Sequence, residues 1–380
     1  MRVDTCYCRN RHCRGYGLVG QRSRLRFDDW HNGAPRFRCR VCDQRVSART
    51  GTAYASIRTD ELTYRYATTA LAEGLAIRAT ARLFDLDKDT LCGWLPLLSE
   101  HCRGVVSYFF RDLHLNECQL DELWTFIYKK EEHLDPVEQL LGEYGDAWVW
   151  IAFSPVFKLV PAWHVGERTL RDARKLVFRL KSATDGHIPF FTSDDLPHYA
   201  DALLEAYGEL STPPRRGARG RFPAPRKVPP PDLCYAVVVK ERERGRVVNV
   251  TTRIVYGTQA QLQRALHDSP VSTTINTSGV ERNNLTVRQH SRRLGRKVNA
   301  FSKERDYLEH QLTLAFAYYH FVIPHRGLRQ RLSKPTPTKG PRASHKKWRD
   351  VTPAMAAGLT DHVWTMDELL SFRVPPQRLW

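Results

Sequence analysis

The chain has 380 residues, 42% of them hydrophobic and 11% aromatic, enough for more than one packed core and outside the range of a disordered chain. Even the longest unbroken apolar runs, such as Ala147–Phe153, fall far short of the ~20 residues that cross a bilayer. The first residues, Met1–Cys6, carry no apolar leader, so the sequence predicts a cytoplasmic location. Lys and Arg number 59 against 41 Asp and Glu, a net charge of +18. The excess is patchy. Residues 1–58 hold 13 Arg and four acids, residues 212–230 six bases and no acid, and residues 282–303 seven bases and no acid. Basic charge concentrated in segments is the electrostatic footprint of polyanion binding, and with no lipid-facing segment nucleic acid is the expected polyanion.

Of nine cysteines, five lie within the first 42 residues. An odd count in a reducing compartment argues against a disulfide framework. Cys8-x4-Cys13 and Cys39-x2-Cys42 are two knuckles whose thiolates can close a tetrahedron around Zn²⁺. Cys6 and His12 compete as ligands of the outer knuckle. A segment of under sixty residues with few aliphatic side chains needs such a staple to fold, and residues 1–57 read as a zinc ribbon. The other four cysteines, at 92, 102, 118 and 234, read as small core residues.

From residue 58 the pattern is helical. Asp60 can cap a helix over 61–73 that Gly74 ends. Residues 77–84, a turn at 85–87 and residues 88–95 have the form of a helix-turn-helix, expected to span 58–105 and to lay its second helix on DNA. Pro96 lacks an N–H and is expected to shorten or bend that helix.

Beyond residue 113, strands alternate with helices. Residues 117–128 read as a strand containing Asp121. Residues 146–153 and 157–165 form a hairpin about Ser154-Pro155, and 169–182 has helical spacing. The short strand 188–192 delivers Ser193-Asp194-Asp195, and 197–207 is again helical. Three antiparallel strands followed by helix-linked strands describe a ribonuclease H-like mixed-sheet core over 113–323. A basic, proline-rich stretch (211–231) interrupts it, with seven prolines and six bases, and a hairpin follows over 233–240 and 246–255, turning at Arg244-Gly245. The run Ser278–Lys297 is helical at its start. At 100° per residue Arg288 and Arg292 each lie 20° from Glu281, which predicts one face carrying a carboxylate and two guanidiniums.

These residues carry a family resemblance. Glu281-Arg-Asn-Asn-Leu-Thr-Val-Arg-Gln-His290, with Arg293-Leu-Gly-Arg-Lys297 and Phe301-Ser-Lys303, resembles the third catalytic motif of the insertion-sequence-one family of bacterial DDE transposases. Asp121-Glu-Leu-Trp124 resembles the first motif, and Thr192-Ser-Asp194 with Pro197 and Tyr199 the second. Val165–Thr169 and Phe37–Thr52 are similar as well. The resemblance covers most of residues 6–323, and the tail from Thr352 is similar to the tails of other DDE transposases. It implies a multidomain α/β protein: zinc ribbon, helix-turn-helix, ribonuclease H-like DDE core with a basic Pro-rich insertion (205–258), and a C-terminal tail over 324–380. It implies catalytic carboxylates at Asp121, Asp194 and Glu281, holding two Mg²⁺ ions (with Mn²⁺ as a substitute) about 4 Å apart. Structural Zn²⁺ falls to Cys8, Cys13, Cys39 and Cys42. DNA contacts fall to Arg282, Arg288, Arg292, Arg293, Arg296 and Lys297. The implied activity is cleavage at insertion-sequence ends and joining of the 3′-hydroxyls to target DNA, by a homodimer or larger assembly associated with the bacterial nucleoid. Two other readings stay open: a DNA-binding regulator with an inactive core, and a nuclease of the same type that cuts without joining. The motif spacing assigns Asp194 to the metals and leaves Asp195 to cap the helix from Pro197.

Overall fold

A computed structural model of the chain describes residues 4–213, 223–337 and 344–376, in two compact units. The first comprises residues 1–109, 310–323 and 363–380, and the second residues 110–309 and 324–362.

In the first unit three short antiparallel strands, β1 (Leu25–His31), β2 (Ala34–Cys39) and β3 (Arg45–Ser47), form one sheet. Helix α1 (Glu61–Ala72) starts as expected: the Asp60 carboxylate accepts from the N–H groups of Leu62 and Thr63. Gly74, at φ +91°, follows its end. Helix α2 (Ile77–Phe84) stops at Asp85, which adopts the left-handed conformation, and α3 begins at Lys88. The expected shortening at Pro96 does not occur, for α3 runs from Lys88 to Phe109. A buried stripe of Trp94, Leu95, Leu98, Cys102 and Val105 continues through the proline, and its packing outweighs the lost hydrogen bond, a cost of about 3 kcal/mol.

The second unit is built on a six-stranded mixed sheet. Strand β4 (Glu117–Ile127) lies near its middle; a short helix, α4 (Pro136–Leu141), separates it from β5 (Gly145–Ser154) and β6 (Leu159–Gly166). These three strands pair antiparallel. The β5–β6 turn covers Pro155–Lys158, with Lys158 left-handed at φ 54°. Helix α5 (Leu170–Ala183), capped by Thr169, leads to β7 (Phe190–Asp194), which pairs parallel to β4. Helix α6 (Pro197–Tyr207) follows.

A two-stranded pair, β8 (Glu209–Ser211) and β9 (Arg226–Val228), flanks residues 214–222, so the middle of the basic, proline-rich stretch lies outside the described residues. Strand β10 (Tyr235–Glu243) then pairs parallel to β7 and antiparallel to β11 (Arg246–Tyr256). Arg244 and Gly245, with φ of 47° and 80°, make the tight turn expected there. The hairpin read as part of an insertion over 205–258 is thus part of the main sheet, whose order is β11-β10-β7-β4-β5-β6.

Helix α7 (Gln259–Asp268) precedes α8 (Ser278–His290), which packs on β4 and β5. Helix α9 (Arg305–Phe321) passes into the residues of the first unit. Strands β12 (Gln330–Pro337) and β13 (His345–Arg349) form a separate antiparallel pair in the second unit, and two short helices end the chain, α10 (Pro353–Ala356) and α11 (Met366–Ser371). Among the described residues no helix is long and apolar enough to cross a membrane. Cys102, Cys118 and Cys234 are buried and Cys92 partly so.

Candidate active site

The site is assembled by strand periodicity. Alternate residues of a strand share a face, and on β4 the residues 117, 119 and 121 all face the segment that leads into and through α8. Buried Glu117 accepts from the hydroxyls of Ser269 (2.9 Å) and Ser272 (2.6 Å). Buried Gln119 donates to the Asn276 carbonyl at 3.2 Å and accepts the Val280 N–H at 2.8 Å, which fixes the first turn of α8 against β4. The approach is close: a Cβ on Gly279 would lie 2.7 Å from Gln119 Oε1, so a larger residue there would displace the Gln119 amide from its bonds. Two residues further along the strand, Asp121 Oδ2 accepts from Asn284 Nδ2 at 2.5 Å.

Strand β7 is in register with β4, Gln119 opposite Thr192 and Leu120 opposite Ser193. Thr192 therefore shares the face of Gln119, and its hydroxyl donates to the Asn276 carbonyl at 3.2 Å. Asp194, two residues on, shares the face of Asp121. Asp195 points the other way and pairs with Arg253 of β11 at 2.6 Å. It does not cap α6 as expected: Leu196 holds the cap position, with no side-chain bond, because the Asp195 carboxylate is taken by Arg253.

The third carboxylate, Glu281, is one turn into α8. Thr277 Oγ1 lies 3.2 Å from both Asp194 Oδ1 and Glu281 Oε1. Between the same two carboxylates sits an ammonium that the sequence reading missed. Lys240 Nζ is 3.2 Å from each Asp194 oxygen and 2.5 Å from Glu281 Oε1. Lys240 reaches them because β10 pairs with β7, Val238 opposite Asp194, and alternation places Lys240 on the face of Val238. Period-two counting from buried Ala236 and Val238 was the signal in the sequence.

The electrostatics of the site follow. Burial, with the nearby carboxylate of Glu122 and then those of Asp194 and Glu281, pushes the Asp121 carboxyl up to about 7. Glu122 faces the other side of β4, where it accepts from Arg168 (2.7 Å) and the Tyr199 hydroxyl (3.0 Å). An open cleft of about 920 Å³ runs along Asp121, Glu281 and Asn284, with Trp124 and Trp148 on its walls and Lys130, Arg293, Arg296 and Lys297 around it.

The six basic residues expected to touch DNA divide in two ways. Arg282, Arg292, Arg296 and Lys297 are exposed, whereas Arg288 and Arg293 are partly covered. Arg288 turns inward, donating to the carbonyls of Leu294 (2.5 Å) and Trp124 (3.3 Å), so its guanidinium ties the loop after α8 to β4. Arg293 donates to Ser302 Oγ at 3.0 Å. Arg292 does not continue the face of Glu281: α8 ends at His290, and Ser291 is extended at φ −133°, ψ 101°, which breaks the 100° count.

In the first unit, Cys8, Cys13, Cys39 and Cys42 bring their sulfurs within 4.8 Å of one another. The Cys8–Cys42 pair is 3.5 Å apart and the Cys13–Cys39 pair 3.7 Å. A tetrahedron of bonds of about 2.3 Å has edges of about 3.8 Å, so four thiolates so placed fit one Zn²⁺. The Gln44 N–H holds the Cys42 thiol down at about 7, while burial raises Cys8. Cys6 is buried outside this cluster and His12 is exposed, so the competing ligands drop out.

No protein-family model matches the sequence, and no curated protein does. Two solved structures are similar to parts of the chain. A Mos1 transposase paired-end complex with left transposon end is 13% identical, with a TM-score of 0.16, over 37% of this chain and 55% of that one. A Mos1 mariner paired-end complex with Mn is 12% identical, with a TM-score of 0.16, over 38% and 56%. The chain spans about half the length of these structures. At that TM-score the likeness says nothing of this chain's chemistry, which has to be read from its own residues.

Proposed function

We propose that the chain is a DDE transposase of the insertion-sequence-one kind, cutting at element ends and joining the 3′-hydroxyls to target DNA. What supports this reading is that Lys240 and Thr277 bridge Asp194, at the end of β7, to Glu281 on α8, and that the carboxyl of Asp121 on β4 feels the charge of both. Carboxylate oxygens are the donors that hard divalent cations take, and a lysine ammonium already sits between two of the three. Carboxylate oxygen is the donor type that Mg²⁺ takes, with Mn²⁺ as a substitute. Ions held by Asp121, Asp194 and Glu281 would supply Lewis-acid stabilisation of the charge that develops on the phosphate and on the leaving 3′ oxygen.

The chain's own residues do the rest. Asn284 fixes the Asp121 carboxylate, and Thr277 fixes those of Asp194 and Glu281. Arg296 and Lys297, which line the cleft with Asp121 and Glu281, would take phosphates, with Arg292 and Arg293 on the same loop and Arg282 exposed on α8, while Arg288 shapes the cleft wall. Cys8, Cys13, Cys39 and Cys42 hold Zn²⁺ in a ribbon over 1–57, and residues 58–105 form a helix-turn-helix that reads the ends. The catalytic domain spans 113–323 and is ribonuclease H-like, followed by a tail. Two ends joined together call for at least a dimer on DNA, and such an enzyme works in the bacterial cytoplasm at the nucleoid.

The test is incubation of the full chain with labelled element ends, Mg²⁺ and a plasmid target. Joined products support the transposase. Cut ends without joining support a nuclease, and a gel shift without either supports a regulator whose core is inactive.

A further inference from the structure

We propose that the hairpin of β12 and β13 is a sequence-independent grip on the phosphates of duplex DNA. Residues 324–349 hold nine Lys and Arg and no Asp or Glu, a denser charge than the basic segments 1–58, 212–230 and 282–303. The hairpin has no core-building role: every described residue of both strands is exposed except the partly covered Leu332. A two-stranded hairpin is marginal on its own, so a surface kept in this form and buried against nothing is there for contact.

Its chemistry selects the partner. Pro335 and Pro337 remove backbone N–H groups from β12, and both strands carry bases, which discourages addition of a protein strand at the edge. Trp348 is its one large exposed apolar side chain among the described residues, too little for a lipid surface or an apolar protein patch. Register places bases on both faces. Arg331 lies opposite Trp348, and Lys346 opposite Thr336, while Lys347 alternates to the other side. At the foot of the hairpin a cleft of about 470 Å³ is lined by Arg326, Arg329, Lys346 and Lys347, and Arg329 lies 4.3 Å over the Trp348 ring.

Lys346 is engaged with Asp350 at 2.8 Å. Among the described residues Arg331, Lys334 and Lys347 have no carboxylate partner. Duplex DNA fits this ribbon in width, since the major groove admits two antiparallel strands, and a set of cations without base-reading amides holds phosphates instead of a sequence.

The inference rests on the transposase reading only in taking DNA as the polyanion. It is tested in the full chain with Arg331→Ala, Lys334→Ala and Lys347→Ala combined, by salt titration of binding to a duplex of arbitrary sequence and to an element end. Each lost phosphate contact lowers the slope of log affinity against log salt by about 0.9, so the triple variant is expected to lose about 2.7 from the slope. The loss should be equal on both duplexes, with Tm unchanged, and lysine at position 331 should restore its share. An unchanged slope overturns the grip while leaving the transposase reading intact. So does a loss confined to the element end, or one seen on single-stranded RNA instead of duplex. A full chain that binds no duplex DNA at all overturns both.

Discussion

At Asp194 and Glu281 the chain supplies its own cation: Lys240 holds the two carboxylates together, and Asn284 holds the third, Asp121. Asp121 is the costly member. In the fold it is pushed up to about 7 by burial and by Glu122, whereas an unfolded aspartate ionises near 3.8. Between those values the native state keeps a proton that the unfolded chain has released, so stability falls as pH rises through that window, and above it the full cost is present. Asp121→Asn removes the charge. Without added Mg²⁺ it should be more stable than the native chain at about pH 8, by on the order of 2 kcal/mol, and the two should converge near pH 4. Thermal unfolding at both pH values checks this; an equal difference at each would mean that the buried charge is not the cause.

The motif resemblance pointed to the three carboxylates and not to their partners. Asp194 and Asp195 are adjacent, and what separates them is Arg253, on a strand 58 residues away. Lys240 was invisible for the same reason: its role depends on β10 pairing with β7, a long-range fact.

Local signals set most of the elements. Asp60 caps α1, Thr169 caps α5, the Arg244-Gly245 turn closes β10 on β11, and each was legible because cap and turn chemistry act within a few residues. Tertiary packing decided where local signals failed. Helix α3 runs through Pro96 on its buried stripe, and the loop after α8 leaves the helical path while Arg288 is drawn to the Trp124 carbonyl.

The cysteine knuckles belong at this scale as well. Cys6 is buried but outside the sulfur cluster, so Cys6→Ser should keep one Zn²⁺ per chain, whereas Cys8→Ser should lose it. Removal of the metal should unfold the segment around the four sulfurs and leave the six-stranded sheet intact. Metal analysis with circular dichroism reads both effects. Zinc lost on Cys6→Ser and retained on Cys8→Ser would reverse the ligand assignment.

Over the whole molecule the charge is sorted. Bases gather beside Glu281 and Asp121, in the cysteine-rich segment and on the β12–β13 hairpin, while Asp121, Asp194 and Glu281, the proposed metal ligands, all lie in the second unit. The most direct test of that point compares two neighbouring substitutions in the end-joining assay with Mg²⁺. Asp194→Asn should abolish both cleavage and joining while DNA binding is retained, because a neutral amide cannot replace the carboxylate's charge toward a divalent ion. Asp195→Asn, whose side chain faces Arg253 on the other side of the sheet, should keep substantial activity. Loss of activity in Asp195→Asn with activity retained in Asp194→Asn would contradict the assignment of Asp121, Asp194 and Glu281 as one site.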